Sequence, residues 1–120
     1  MENMETIEVI SCQIIAASGC AKSNYVEAIE LAKKGKIDEA LDLIEQSKEI
    51  FLQGHEAHAK LLALSAQDKL EIPLLLMHAE DQMMNCETMK IMALELIEQC
   101  RQFQKIDQRL GRIESAYAVS

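Results

Sequence analysis

The sequence is organised around one apolar run that a small polar cluster interrupts, Leu74-Leu75-Leu76-Met77-His78-Ala79-Glu80-Asp81-Gln82-Met83-Met84. On a helix, residues three and four apart share a face. One such face carries the polar residues His78, Asp81, Gln82 and Asn85. A histidine with an acid one turn away, framed by leucines and methionines, is the first place to expect chemistry.

Composition indicates an all-α protein. The chain has 120 residues, which suits a single domain spanning residues 1–120. Hydrophobic residues make up 49% of it, while it has only four glycines and one proline, so the sequence is rich in residues that favour helices and poor in those that break them.

The net charge of the chain indicates which kinds of molecule it can be expected to bind. The formal net charge is −8 and only 3% of residues are aromatic, which argues against a nucleic-acid binder, because such proteins need basic patches and often aromatic side chains. The N-terminus has neither the basic nor the apolar region of a signal peptide, and no apolar run approaches the length of a membrane span. We therefore expect a cytoplasmic protein without membrane insertion, with a basic or neutral protein as partner.

The spacing of apolar residues predicts three long helices, at about 6–34, 37–65 and 72–109. Gly35 suits the residue just past the first helix, and Asp38 and Glu39 suit the first turn of the second. Pro73 suits the first turn of the third. Short connections between such helices favour an antiparallel three-helix bundle.

The third helix predicts assembly. Apolar residues cover more of its circumference than one stripe between Ile72 and Met84, and again between Ile91 and Ile97. Because a bundle buries only one side of each helix, the remaining apolar surface predicts a subunit interface in a cyclic homo-oligomer. The segment after Arg109 has a weaker helical pattern, and we expect a mobile C-terminal tail.

Several other residues admit more than one interpretation. Cys12, Cys20, Cys86 and Cys100 form no C-x-x-C pair, which favours reduced thiols packed as small apolar residues over a zinc or redox site. His55 and His58 are spaced as metal ligands could be, but no third ligand matches, so buried hydrogen-bonded histidines are the simpler interpretation. Lys22-Ser23 lacks the upstream glycine and strand of a P-loop.

His78 also has two interpretations. A single histidine in an apolar helix can be a core residue that fulfils its hydrogen bonds internally. A neutral imidazole is also a competent nucleophile near pH 7, and Asp81 could orient the ring or hold a cation. If Pro73 opens the helix, His78 lies beyond the free N–H groups of the first turn. A phosphoryl group on it would then be held by side chains.

The run from Leu74 to Met84 resembles the L-L-x-V-H-A-Q-D-H-L-M signature of the lactose/cellobiose/chitobiose-type IIA components of the bacterial sugar phosphotransferase system. Shorter pieces resemble the same family in order and spacing: Gly19-Cys20-Ala21-Lys22-Ser23 its G-x-A-[KR]-S, Ala32-Lys33-Lys34-Gly35 its A-K-x-G, and Glu56-Ala57-His58 its E-A-H. The resemblance covers roughly residues 5–105.

The resemblance implies a homotrimer of three-helix subunits that carries a phosphoryl group. The histidine matching His78 accepts the group from phospho-HPr and passes it to a cysteine of the IIB domain, which with the IIC permease takes up a β-linked disaccharide such as cellobiose or lactose. The aspartate matching Asp81 meets its symmetry mates on the threefold axis and binds Mg2+, one ion per trimer.

Two residues beside the histidine depart from the family pattern. Glu80 stands where the family usually has Gln, and Gln82 where it usually has His. An ionised Glu80 aimed at a phosphoryl group would repel it, whereas Gln82 can still donate a hydrogen bond. These two residues form the expected environment of the phosphate. Their departure motivates one alternative, a regulatory or interaction protein without onward transfer. A further alternative, metal binding as the main role, would require metal affinity without any phosphoryl-acceptor activity.

Overall fold

The computed structural model describes residues 2–68 and 74–118, with side chains from residue 6 to 64 and from 74 to 118. The described chain folds into three helices, α1 (Glu2–Lys33), α2 (Ile37–Asp68) and α3 (Leu74–Ala118). They run up, down and up in a rod of 80 × 18 × 16 Å. The predicted all-α three-helix bundle is confirmed. The predicted start of the third helix at 72 and the role of Pro73 fall outside the described residues.

The turn between α1 and α2 follows the predicted chemistry. Gly35 has φ +83°, the left-handed conformation that glycine adopts without steric cost. Its N–H donates to the Ala32 carbonyl at 3.0 Å, and the Lys36 N–H donates to the Leu31 carbonyl at 3.0 Å. These two bonds form a Schellman motif, which satisfies the last carbonyls of α1. The turn therefore reverses the chain within three residues.

Helix α1 lies at the centre of the packing, because it contacts both other helices closely while α2 and α3 touch each other much less. The apolar spacing of α1 predicts a buried stripe at residues 7, 10, 14, 17, 21, 25, 28 and 32, and all of these are buried except Ala17, which is half-buried. Two apolar clusters stack along the rod. One, at the end that contains the start of α3, includes Ile7, Ile14, Leu61, Leu76 and Met83.

The buried face of α2 differs from the one that its large side chains predict. The apolar spacing of α2 predicts a buried stripe that includes Ile37, Leu41, Ile44 and Leu62; Ile37 and Ile44 are buried, but Leu41 and Leu62 are exposed. The core positions of α2 are instead occupied mainly by small residues, namely Ala40, Ser47, Gly54 and Ala57. A Cβ on Gly54 would lie 3.5 Å from the Cβ of Ala17, so these small residues permit the close approach of α1 and α2.

Helix α3 continues nine residues beyond the predicted end at 109, so the segment expected to form a mobile tail is helical to Ala118. Gln104 Nε2 donates to the Gly35 carbonyl at 3.4 Å, which places residue 104 level with the α1–α2 turn. The remaining fourteen residues project about 20 Å past the bundle. The helix continues because its apolar periodicity does, in steps of three and four through Phe103, Ile106, Leu110, Ile113 and Tyr117.

Two surface features bear on function. None of the helices that the structure describes is both long and apolar enough to cross a membrane. Leu74, Met77, Met84 and Ile91 expose between 53% and 82% of their area. At 3.6 residues per turn, these side chains and the stripe from Phe103 to Tyr117 lie on the side of α3 opposite its buried residues. Two stretches of the outer face of α3, residues 74–91 and 103–117, are therefore largely apolar and uncovered in a single chain, with Asp81 and Thr88 as polar members of the first.

Replacing Gly35 with Ala tests the turn. An L residue at φ +83° is strained, so we expect the free energy of unfolding in urea to fall by about 1 kcal/mol. Gly19→Ala is the matched control, because Gly19 is an exposed interior residue of α1 whose added Cβ would meet nothing within 4 Å. That change should stabilise the protein by up to about 1 kcal/mol. Equal effects of the two changes would contradict this account.

Candidate functional site

His78 is the fifth residue of α3 and its side chain is exposed. Leu76 and Ala79, to either side along the chain, are buried in the core and so fix the rotation of α3 about its axis. Within the described part of the chain, no hydrogen bond or ion pair involves His78. The interpretation of His78 as a core histidine is therefore wrong. Its imidazole is available to an incoming group.

Asp81 is also exposed, one turn further along α3. It lies in a row of side chains that advances in alternating steps of three and four, namely Leu74, Met77, Asp81, Met84, Thr88 and Ile91. No ion pair to Asp81 is found among the described residues. A carboxylate without a partner thus lies in the middle of an apolar, outward-facing row.

The other members of the predicted polar cluster are distributed around α3. Asn85 is exposed and Gln82 is half-buried. Glu80, two residues from His78, points to the neighbouring helix instead, where its Oε1 lies 3.0 Å from Nε2 of His58. The structure therefore brings His78, Asp81 and Gln82 to one side of α3 and separates Glu80 from them.

A second pair of the same kind joins the same helices. His55 Nε2 lies 3.2 Å from Glu87 Oε1, and the His55 ring makes an edge contact with Phe51 at a centroid distance of 4.6 Å. Because α2 and α3 are antiparallel, His58 meets Glu80 and His55 meets Glu87. The predicted hydrogen-bonded histidine is confirmed for His58, which is half-buried, whereas His55 is exposed. Periodicity alone could not reveal these partners, since they depend on the register of two helices.

Metal-ligating groups are dispersed in a single chain. Among the described side chains, no three of His, Cys, Asp and Glu lie together in a way that could hold a metal ion. Asp81 offers one carboxylate, a hard oxygen donor of the kind that Mg2+ prefers. A metal at Asp81 would therefore need further ligands beyond the described side chains of one chain, whether water or other groups.

The four cysteines are free, and they divide by exposure. Cys86 is buried, and burial raises the pKa of its thiol, so it behaves as a small apolar residue. Burial likewise raises the pKa of the neighbouring Tyr25 to about 12. Cys12 and Cys20 are exposed on α1, contrary to the expectation that all four are packed.

The fold and the site define a class of protein: a small helical bundle that presents on its surface a histidine, His78, to which the described residues offer no hydrogen bond or ion pair. Such a histidine suits nucleophilic group transfer between proteins. The profile of one family, described as "PTS system, Lactose/Cellobiose specific IIA subunit", matches residues 9–101. The chain belongs to this family, and it is a IIA component of a sugar phosphotransferase system, a protein that transfers phosphoryl groups.

Individual relatives agree with the family profile. The chain is 36% identical to the lichenan-specific phosphotransferase enzyme IIA component of Bacillus subtilis (strain 168) over 108 residues, 89% of this chain and 96% of that one. It is 33% identical to the lactose-specific EIIA component of Streptococcus mutans over 97 residues, 80% and 93% of the two chains. The crystal structure of the cellobiose-specific enzyme IIA from Bacillus anthracis superposes with a TM-score of 0.78 at 36% identity, covering 82% of this chain and 92% of that chain.

Proposed function

We propose that this protein accepts a phosphoryl group from phospho-HPr on His78 and passes it to a cysteine of its IIB partner in the cytoplasm. The observation that carries the proposal is the exposed, unpaired imidazole of His78. A ring nitrogen of His78 attacks phosphorus, and a P–N bond forms as the bond to HPr breaks. In the second step the IIB thiolate attacks the same phosphorus, a P–S bond forms, and the imidazole leaves.

The transported sugar in this proposal is a β-linked disaccharide such as cellobiose or lactose. The names of the relatives give lichenan, lactose and cellobiose as their specificities. The IIA component itself does not need to contact the sugar, because the phosphoryl group reaches it through IIB and the IIC permease. The sugar therefore enters the proposal through the relatives rather than through a pocket of this chain.

Three copies of the chain assemble as a homotrimer in this proposal, with α3 at the centre. The support is the apolar outer face of α3, which a single chain leaves uncovered. The row from Leu74 to Ile91 has the alternating steps of a coiled-coil seam. Asp81 would then approach its two counterparts, and one Mg2+ on the axis would offset the repulsion between their like charges.

The projecting end of α3 supports a parallel arrangement. With Phe103 at heptad position a, the apolar stripe occupies positions a and d throughout, with Leu at a and Ile at d in its middle. This choice favours three or four strands over two. Arg109 falls at position g and Glu114 at the following e, the positions that face each other between parallel helices. In an antiparallel pair, position g faces position g instead, so Arg109 and Glu114 would not be brought together in this way.

The alternative of a regulatory protein that retains its phosphoryl group is motivated by Glu80 and Gln82. The contact of Glu80 with His58 weakens that motive, because the carboxylate is engaged on α2. The discriminating observation is the fate of the label when the phosphoprotein meets candidate IIB domains. Loss of label from this protein and its gain by IIB supports the carrier, and retention supports the regulator.

Substituting His78 with Ala should abolish labelling by phospho-HPr, because the attacking nitrogen is removed. The measurement is transfer of radioactive phosphate from phosphoenolpyruvate through enzyme I and HPr. His55→Ala, which removes another histidine next to α3, should be labelled as the wild type is. Labelling of the His78→Ala variant would contradict the assignment.

Asp81→Leu should leave a folded trimer that no longer needs a metal, because a leucine continues the apolar row without repulsion. The sedimentation coefficient should match that of the wild type. Addition of EDTA should lower the unfolding temperature of the wild type and leave that of the variant unchanged. Dissociation of the variant to monomers would show instead that Asp81 makes an indispensable contact.

Arg109→Glu should weaken the trimer, because each new glutamate would face Glu114 of a neighbouring copy. With three such pairs at about 0.5 kcal/mol each, the trimer dissociation constant should rise about tenfold and the concentration at half-dissociation, which varies as its square root, about threefold. Combining Arg109→Glu with Glu114→Arg should restore it. Arg112→Glu, which lies off the seam at position c, is the matched control. A double variant no better than the single one would count against the parallel register.

A further inference from the structure

A polar contact joins α2 to α3 at Glu80, two residues from His78 along the chain. The His58 and Glu80 side chains expose 21% and 40% of their areas, so the pair is partly shielded from water. In the Nε2–H tautomer, or as the imidazolium, His58 donates from Nε2 to the carboxylate at this distance of 3.0 Å. Partial burial makes such a bond more persistent than an exposed surface pair.

The second observation is the position of Glu80 relative to His78. Residues two apart on a helix point to different sides, and Glu80 reaches α2 while His78 is exposed on the outer part of α3. Two side chains within one turn of a helix are nevertheless closer to each other than the Debye length of about 8 to 10 Å, the distance over which salt screens charges. A free Glu80 carboxylate would therefore be felt by a phosphoryl group on His78, which carries up to two negative charges.

Glu80 places a negative charge two residues from the phosphoryl-accepting residue. The structure contains a feature that counters it, since the carboxylate is bound on the opposite side of α3 by a histidine that can also carry the compensating charge.

We propose that His58 is a positioning residue for phosphoryl transfer, which holds the Glu80 carboxylate against α2 and away from the phosphoryl group on His78. This inference rests on the proposed function of His78. His58 does not touch the reacting atoms. Its contribution is to make the acid at residue 80 compatible with a negatively charged group two residues away.

The His55–Glu87 pair is a control for the His58–Glu80 pair. His55 and Glu87 join the same two helices at a similar distance, 3.2 Å, but Glu87 lies more than two turns from His78 along α3. Removing either histidine breaks one α2–α3 contact. Only the removal of His58 frees a carboxylate next to the phosphoryl acceptor, so a general loosening of the bundle and a specific effect on transfer can be separated.

The experiment is a double-mutant cycle on His58 and Glu80, measured as kcat/KM for phosphoryl uptake from phospho-HPr. We expect His58→Ala to lower kcat/KM about fivefold when Glu80 is present and less than twofold in a Glu80→Gln background. His58→Gln, whose amide can still donate to Glu80, should recover most of the rate. His55→Ala should transfer at the wild-type rate, although urea unfolding should show that it also loses some stability.

Three results would overturn the inference. An equal loss from His58→Ala with Glu80 present and in the Glu80→Gln background would assign His58 a role independent of the carboxylate. An equal loss from His55→Ala would assign His58 a purely structural role, and a wild-type rate for His58→Ala would remove the role altogether. In each of these cases the wild type is still phosphorylated on His78, so the proposed function stands. A wild type that takes no label overturns the proposed function and this inference with it.

Discussion

The close packing of α1 against its two neighbours is the constraint on which the rest of the structure depends. Small residues on α1 and α2 let the two backbones approach, as the contact between Gly54 and Ala17 shows. Buried residues of α3, such as Ala79 and Cys86, then dock on α1. Once that side of α3 is committed to the core, its other side, with His78 and Asp81, must face outward. The position of the site is thus a consequence of core packing.

Electrostatics sets the second constraint. The protein carries a net charge of −8, and the residue expected to receive a phosphoryl group has acids at two and three residues beyond it. The two acids, Glu80 and Asp81, have different environments in the structure. Glu80 is paired with His58 across the helix interface, whereas Asp81 is left in an apolar row without a partner among the described residues. The first arrangement is complete within one chain, and in the second Asp81 is the residue that the proposed trimer would bring together with its counterparts.

The fold is predictable from the sequence because helix formation here depends on local signals. Periodicity locates three helices, and Lys33, Gly35 and Asp38 mark the ends around the first turn. Periodicity alone predicts the wrong buried residues for part of α2. Leu41 and Leu62 have the spacing of core residues, yet small residues take much of the buried face because the helices approach closely. The predicted end of α3 at 109 is also too early. Arg109 and Arg112 near that end look like the basic last turn of a helix, although the apolar stripe continues past them to Tyr117.

The candidate site is predictable in part for the same reason. Its motif is contiguous, so His78, Glu80, Asp81 and Gln82 can be identified from the sequence alone. The partner of Glu80 cannot, since His58 is more than twenty residues away and reaches it only through the register of α2 against α3. Two residues that are neighbours in the sequence, Glu80 and Asp81, consequently have opposite environments, one facing the bundle and one facing away from it.

The central claim is that His78 carries the phosphoryl group, and the most direct measurement is the position of that group after incubation with phospho-HPr. The chain has three histidines, so mapping the phosphate by tandem mass spectrometry of the unmutated protein distinguishes among them. The account predicts a single phosphorylated residue, His78, at up to one phosphate per chain. Phosphate on His55, on His58 or on a cysteine would contradict it.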